Sequence, residues 1–96
     1  MEALQTVRKQ IVSLLSEEDL TAMDISHLVR IPEKDVAGHL SHIHRSLGST
    51  GKKLIIEPYS CMSCGYQFKK RDRFDRPGRC PQCKGSHIRL ASYRIL

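Results

Sequence analysis

The residues best equipped for chemistry are four cysteines in two matched pairs, Cys61-Met62-Ser63-Cys64 and Cys80-Pro81-Gln82-Cys83, separated by residues 65 to 79. Two residues between paired cysteines allow a tight turn in which both sulfurs point at one ion and backbone N–H groups face the sulfurs. Gly65 after the first pair and Lys84-Gly85 after the second supply the backbone freedom such turns need. The spacing predicts that Cys61, Cys64, Cys80 and Cys83 hold one metal ion per chain, with Zn2+ the first choice. A pair of disulfides is the competing reading, but disulfide frameworks belong to exported chains and the N-terminus lacks the apolar stretch of a signal peptide. Four thiolates close the coordination shell to water and substrate, so the expected ion is structural and no enzymatic role is expected. Elsewhere the sequence has no recognisable nucleophile–base pattern and no glycine-rich phosphate loop.

Ninety-six residues with 40% apolar content allow one small domain or two very small ones. A segment of fewer than about 40 residues usually needs a metal, disulfides or a partner to fold, so the cysteine-bearing part should lean on its ion. No apolar run approaches the roughly 20 residues of a membrane span. A soluble, reducing, cytoplasmic setting without membrane association is therefore expected. The formal charge of +6 is unevenly placed. Residues 1–57 hold seven Lys/Arg against eight Asp/Glu, a balance of −1, whereas residues 58–96 hold nine against two, a balance of +7. Four thiolates on one divalent ion would lower the second figure by two, which still favours a polyanionic partner.

These charges are carried on elements whose order the periodicity suggests. From Glu2 to about Ser16, Leu4, Val7, Ile11, Leu14 and Leu15 recur at three- and four-residue intervals, one stripe of an amphipathic helix that ends at Glu17-Glu18-Asp19. Thr21, three residues before Asp24 and just ahead of Ile25, Leu28 and Val29, predicts a capped short helix. After a turn at Arg30-Ile31, Pro32 suits the first position of a third helix, with Glu33 and Asp35 in its opening turn and Gly48 as its stop. That helix buries Val36, Leu40, Ile43 and Leu47 and turns Lys34, Gly38, Ser41, His42 and Arg45 the other way. Helix, tight turn and helix, preceded by a packing helix, make a helix-turn-helix unit, and in such a unit this outward face meets the major groove. Lys34 and Arg45 would reach phosphates or guanine edges, and Ser41 and His42 bases or phosphates. His39, His42 and His44 are not spaced as a second metal site and are expected at the surface.

Lys52 and Lys53 lie in a basic loop before Leu54-Ile55-Ile56, a β-branched run that reads as a strand where a wing hairpin would begin. Only one strand fits before Pro58, so the wing should be reduced and its strand should pair elsewhere. The short link Glu57-Pro58-Tyr59-Ser60 is no free tether and should make the two parts move as one body. Tyr66 and Phe68 alternate with Gln67 and Lys69 as a strand would, and residues 69–79 form a basic excursion in which Lys69, Lys70, Arg71 and Arg73 are candidate phosphate contacts. A last strand, about His87 to Ile95, switches its apolar phase between Leu90 and Tyr93, which suggests a bulge near Ala91-Ser92 or cover on both sides. Leu54 to Ile56 is a plausible second partner for it.

The chain resembles the archaeal and bacterial transcriptional regulators in which a helix-turn-helix domain is fused to a zinc ribbon. The likeness rests on Leu20-Thr21-Ala22-Met23-Asp24-Ile25, Ile31-Pro32-Glu33-Lys34-Asp35-Val36, Gly51-Lys52-Lys53-Leu54-Ile55-Ile56-Glu57-Pro58, Cys61-Met62-Ser63-Cys64-Gly65-Tyr66 and Arg79-Cys80-Pro81-Gln82-Cys83. Arg30 departs from the glycine such proteins often carry in the interhelical turn. The resemblance implies an α+β fold, with a winged-helix-like domain over residues 1–57 and a four-cysteine zinc ribbon of short antiparallel strands over 58–96. It also implies a regulator that binds double-stranded DNA, and pairing of two copies through the first helix would suit palindromic DNA. Two other functions are weighed against it. The ribbon can serve as a module that docks on transcription machinery. The two cysteine knuckles are also those of rubredoxin-like iron redox sites, against which the basic surroundings and the short separation of the pairs argue.

Overall fold

The computed structural model describes residues 2–69 and 74–96, the side chains of residues 2–5 excepted. The first helix, α1, spans Glu2–Glu17. Its stripe buries Ile11 and Leu15 completely, while Val7, Val12 and Leu14 pack at the edge of the same core. A two-residue strand, β1 (Leu20–Thr21), leads into α2 (Ala22–Val29). Thr21 caps α2 reciprocally. The Asp24 N–H donates to Thr21 Oγ1 and the Thr21 N–H donates to Asp24 Oδ2, each at 3.1 Å. A cap of this kind stabilises a helix by about 1 kcal/mol.

Arg30 ends α2 in the left-handed conformation, φ 60° and ψ 50°. The N–H groups of Arg30 and Ile31 both donate to the Ser26 carbonyl, so the turn that would suit glycine is held by hydrogen bonds despite the Cβ strain. The third helix, α3, spans Glu33–Leu47, and Pro32 is its N-cap rather than its first residue. Pro32 has the helical φ of −61° but an extended ψ of 144°, so its carbonyl starts the helix by accepting from the Asp35 N–H at 2.9 Å. Val36, Leu40, Ile43 and Leu47 are buried as the stripe requires. Gly48 is right-handed at φ −57°, and the left-handed residue comes later, at Gly51 with φ 81°. The chain thus takes three further residues after Gly48 to reach its left-handed position.

Strand β2 (Leu54–Glu57) finds its partner at the far end of the sequence. The last strand, β5 (Ser92–Ile95), lies between β1 and β2 in an antiparallel sheet of order β1-β5-β2. Leu20 and Ile56 both face Tyr93, and Leu54 faces Ile95. Lys53 and Leu96 extend the ladder by exchanging hydrogen bonds at 2.9 and 3.0 Å. A second sheet pairs β3 (Ser60–Cys61) with β4 (Ile88–Arg89). The phase switch in the last apolar run therefore marks the place where one chain passes from one sheet to the other, with Ala91 buried at the crossing. The single strand expected over His87 to Ile95 is two. The strand expected at Tyr66–Phe68 is reduced to one bridge, Ser60 with Gln67, since the knuckle leaves room for few ladder bonds.

The sheet formed by β1, β5 and β2 packs against α1 and α2, and Tyr93, 1% exposed, shares one buried core with Ile25, Leu40 and Ile95. The division of the sequence at residue 57 is not a division of this sheet, because β5 comes from the second segment and both its neighbours from the first. The result is a small α+β fold of three helices and antiparallel strands among the described residues. None of these helices is long and apolar enough to cross a membrane.

Candidate metal centre and the surface beside it

The two knuckles repeat one backbone design. In the first, the Gly65 N–H donates to the Cys61 carbonyl at 2.9 Å, and Gly65 is left-handed at φ 82°. In the second, the Lys84 N–H donates to the Cys80 carbonyl at 2.9 Å, and Lys84 occupies the same conformation at φ 65°. The freedom assigned to Gly85 is thus needed one residue earlier, where a side chain bears the strain. Gly85 has a different task. A Cβ there would lie 3.3 Å from Cys83 Sγ, so the glycine leaves room for the sulfur. Two backbone hydrogen bonds tie the knuckles down, Cys80 N–H to the Gly85 carbonyl at 2.9 Å and Met62 N–H to the His87 carbonyl at 2.8 Å. His87 takes part through its backbone, not as a ligand.

These turns bring four Sγ atoms within 4.8 Å of one another. Cys61 and Cys83 sulfurs are 3.5 Å apart, and those of Cys64 and Cys80 are 3.6 Å apart. A tetrahedron with metal–sulfur bonds of about 2.3 Å has edges of about 3.8 Å, so the cluster has the size of a four-thiolate site. The N–H groups of Gln82 and Cys83 point at Cys80 Sγ from 3.3 and 3.5 Å, the donors a buried thiolate requires. Proton affinity is split among the sulfurs. Hydrogen bonding from the Cys64 backbone holds Cys61 down to about 6 against the opposing effect of burial. Cys64 is pushed up to about 12: the Tyr66 N–H lowers it, but burial and the neighbouring sulfurs outweigh that donor. Four anionic sulfurs at these distances repel one another, and a cation at their centre removes the conflict. The four cysteines are therefore positioned to hold one metal ion.

The other candidate residues fall into three groups. Lys34, Arg45, Lys52, Lys53 and Lys69 are exposed, and Ser41 and His42 are half-buried. Ser41, Arg45 and Lys69 line one cavity of about 620 Å3 between α3, β2 and the cysteine-bearing segment. His42 sits on the opposite flank of α3, in a shallower groove with Arg8 and Lys9 of α1, so the structure does not bring it to the Arg45 side. Lys70, Arg71 and Arg73 lie outside the described residues. Arg76, within the same basic stretch, is paired. Its Nη2 donates to both carboxylate oxygens of Glu33 at 2.8 and 3.1 Å, which clamps the segment to the first turn of α3.

Several participants escaped the sequence reading. Phe74 packs edge-on against His44 of α3, with ring centroids 5.8 Å apart, and against Tyr93 at 5.9 Å. Tyr59 is buried and donates from its hydroxyl to the Phe74 carbonyl at 3.2 Å. An aromatic residue amid six basic ones was the available signal for Phe74, because a purely solvated loop has no use for one. His39, expected at the surface, is 8% exposed and accepts a hydrogen bond at Nδ1 from Arg8 Nε at 3.1 Å. Burial first, and the Arg8 charge second, lower its pKa from 6.5. Its position at the edge of the apolar stripe, facing α1, explains why a helical wheel of α3 alone did not bury it.

A small α+β fold with four cysteines positioned to hold one metal ion defines the class. Residues 6–55 match the PF0610-like, N-terminal family, and the chain belongs to that family. Its fold is also similar to the solution NMR structure of protein PF0610 from Pyrococcus furiosus, with a TM-score of 0.78 and 28% sequence identity over 96% of this chain and 90% of that one. No curated protein matches the chain.

Proposed function

We propose that the chain is a DNA-binding transcriptional regulator, with α1–α3 and β2 serving as a reduced winged helix and the cysteine-bearing segment as a ribbon built on one structural Zn2+. The observation that carries this reading is the common wall on which Ser41 and Arg45 of α3 stand beside Lys69 of the ribbon. Three residues singled out for nucleic-acid contact, from two distant parts of the chain, thereby share one surface. Lys34 and Gly38 extend it along α3, and a Cβ at Gly38 would meet nothing within 4 Å, so a groove wall can approach the helix closely. Zinc would contribute folding free energy and hold the basic segment in place, since a closed four-sulfur shell offers no coordination position for chemistry. Binding rather than catalysis follows.

The test is a mobility-shift selection from a random duplex pool at stated salt, followed by Lys34→Glu with Arg45→Glu. Loss of duplex binding in the double variant, with metal content and circular dichroism retained, is the expected result. Unchanged affinity would remove α3 from the groove. A docking role on transcription machinery is the second reading, favoured by Met62, which is 71% exposed at the tip of the first knuckle. Recovery of protein partners after nuclease treatment by wild type and not by Met62→Asp would support it. A colourless protein that releases one zinc per chain excludes iron in both cases.

A further inference from the structure

The cavity between α3, β2 and the ribbon has the composition of a ligand site as well as that of a shared wall. Its volume of about 620 Å3 falls within the roughly 300–1,000 Å3 of small-molecule sites. Tyr59, Phe68 and Phe74 supply aromatic surface, and the contacts of Phe74 with His44 and Tyr93 fix the orientation of its ring before anything binds. Arg45 and Lys69 stand on the same lining with the Ser41 hydroxyl, and no described lining residue is acidic. Neither cation has a carboxylate partner among the described residues, whereas Arg76 nearby is paired with Glu33. Aromatic faces select a flat apolar body, and two unneutralised cations beside them select a negative group on it.

We propose that this cavity binds a planar aromatic anion, a fused or single ring carrying a carboxylate or a phosphate. The ring lies against Phe68, Phe74 and Tyr59, and the anionic group meets Arg45 and Lys69 with Ser41 as a further donor. The site shares Ser41, Arg45 and Lys69 with the DNA reading, so a bound anion and a duplex would compete for them, and titration without DNA tests the small-molecule site by itself.

Titration of the metal-loaded protein, followed by backbone amide NMR, tests it in two arms that separate the sources of the anion. 2-Naphthoate is the carboxylate probe and AMP the phosphate probe, and cyclohexanecarboxylate provides a charge without an aromatic face. Saturable shifts at Ser41, Arg45, Phe68, Phe74 and Ala91 with at least one aromatic probe, and none with cyclohexanecarboxylate, are expected. Arg45→Gln and Lys69→Gln, both at exposed positions, should each weaken that binding roughly tenfold, the loss expected for one charge-assisted hydrogen bond. Ser41→Trp, which fills the cavity from α3, should abolish it while the metal is retained. Failure of both aromatic probes to saturate, shifts confined to the α1–α3 groove, or unchanged affinity in the Arg45→Gln/Lys69→Gln double variant would overturn the proposal.

Discussion

Residues 6–57 bury Ile11, Leu15, Ile25, Val36 and Leu40 completely, whereas the described residues of 58–90 bury only Tyr59, Cys61, Pro77 and Cys80. Two of those four are cysteines of the cluster. The helical half is thus held by an ordinary apolar core, in which each buried Leu or Ile contributes about 1.5–3 kcal/mol before chain entropy is subtracted. The cysteine-bearing half has too little apolar surface to do the same and depends on its four sulfurs. What joins them is β5, contributed by the end of the chain but seated in the middle of the helical half's sheet. The comparison teaches that the cysteine-bearing half is gathered around its four sulfurs while the other half anchors both ends of it, through β2 before the knuckles and β5 after them.

Removing the metal is the most direct way to break this difference. Cys80→Ser, or chelation, should disorder the cysteine-bearing segment and leave amide dispersion from Ile11 to Leu47, because a structural metal held by four thiolates would contribute about 10 kcal/mol to the fold around it. NMR spectra before and after chelation read the outcome, and simultaneous loss of both sets of signals would show that the halves do not differ. Tyr93→Ala should cost about 3–5 kcal/mol, the loss for a buried aromatic, in chemical denaturation. Since Tyr93 pairs with both β1 and β2, helix melting and metal release should shift together.

A smaller effect separates the halves by pH. His39 has a lowered pKa in the folded protein, chiefly through burial, so between that value and the unfolded 6.5 the unfolded chain binds more protons. Stability contributed by neutral His39 is present above pH 6.5 and falls as the pH drops through that window. His39→Gln should flatten this part of the denaturation profile of α1–α3, while acid release of the metal persists. The smallest expected change sharpens the comparison of the two knuckles. Lys84→Gly relieves a left-handed non-glycine residue and should raise stability by about 0.5–1 kcal/mol, measured as a higher midpoint for metal-linked unfolding.

What the sequence by itself determined is local. Cysteines three positions apart form knuckles because the turn is closed by their own backbone, and α1, the Thr21 cap, and the stripe of α3 follow from interactions within four residues of each other. The pairing of Leu54–Glu57 with the last strand was legible as a possibility, since a single wing strand needs a partner. Tertiary structure decided the rest. The split of the last strand between two sheets, the burial of His39 under Arg8, the clamp of Arg76 on Glu33 and the packing of Phe74 on His44 all join residues more than twenty positions apart, apart from the strand split itself. Periodicity reports which face of an element is apolar, but not which distant element covers it. That choice depends on the summed packing of the whole chain, and it placed Lys69 and Phe74 of the basic stretch on one wall of a cavity.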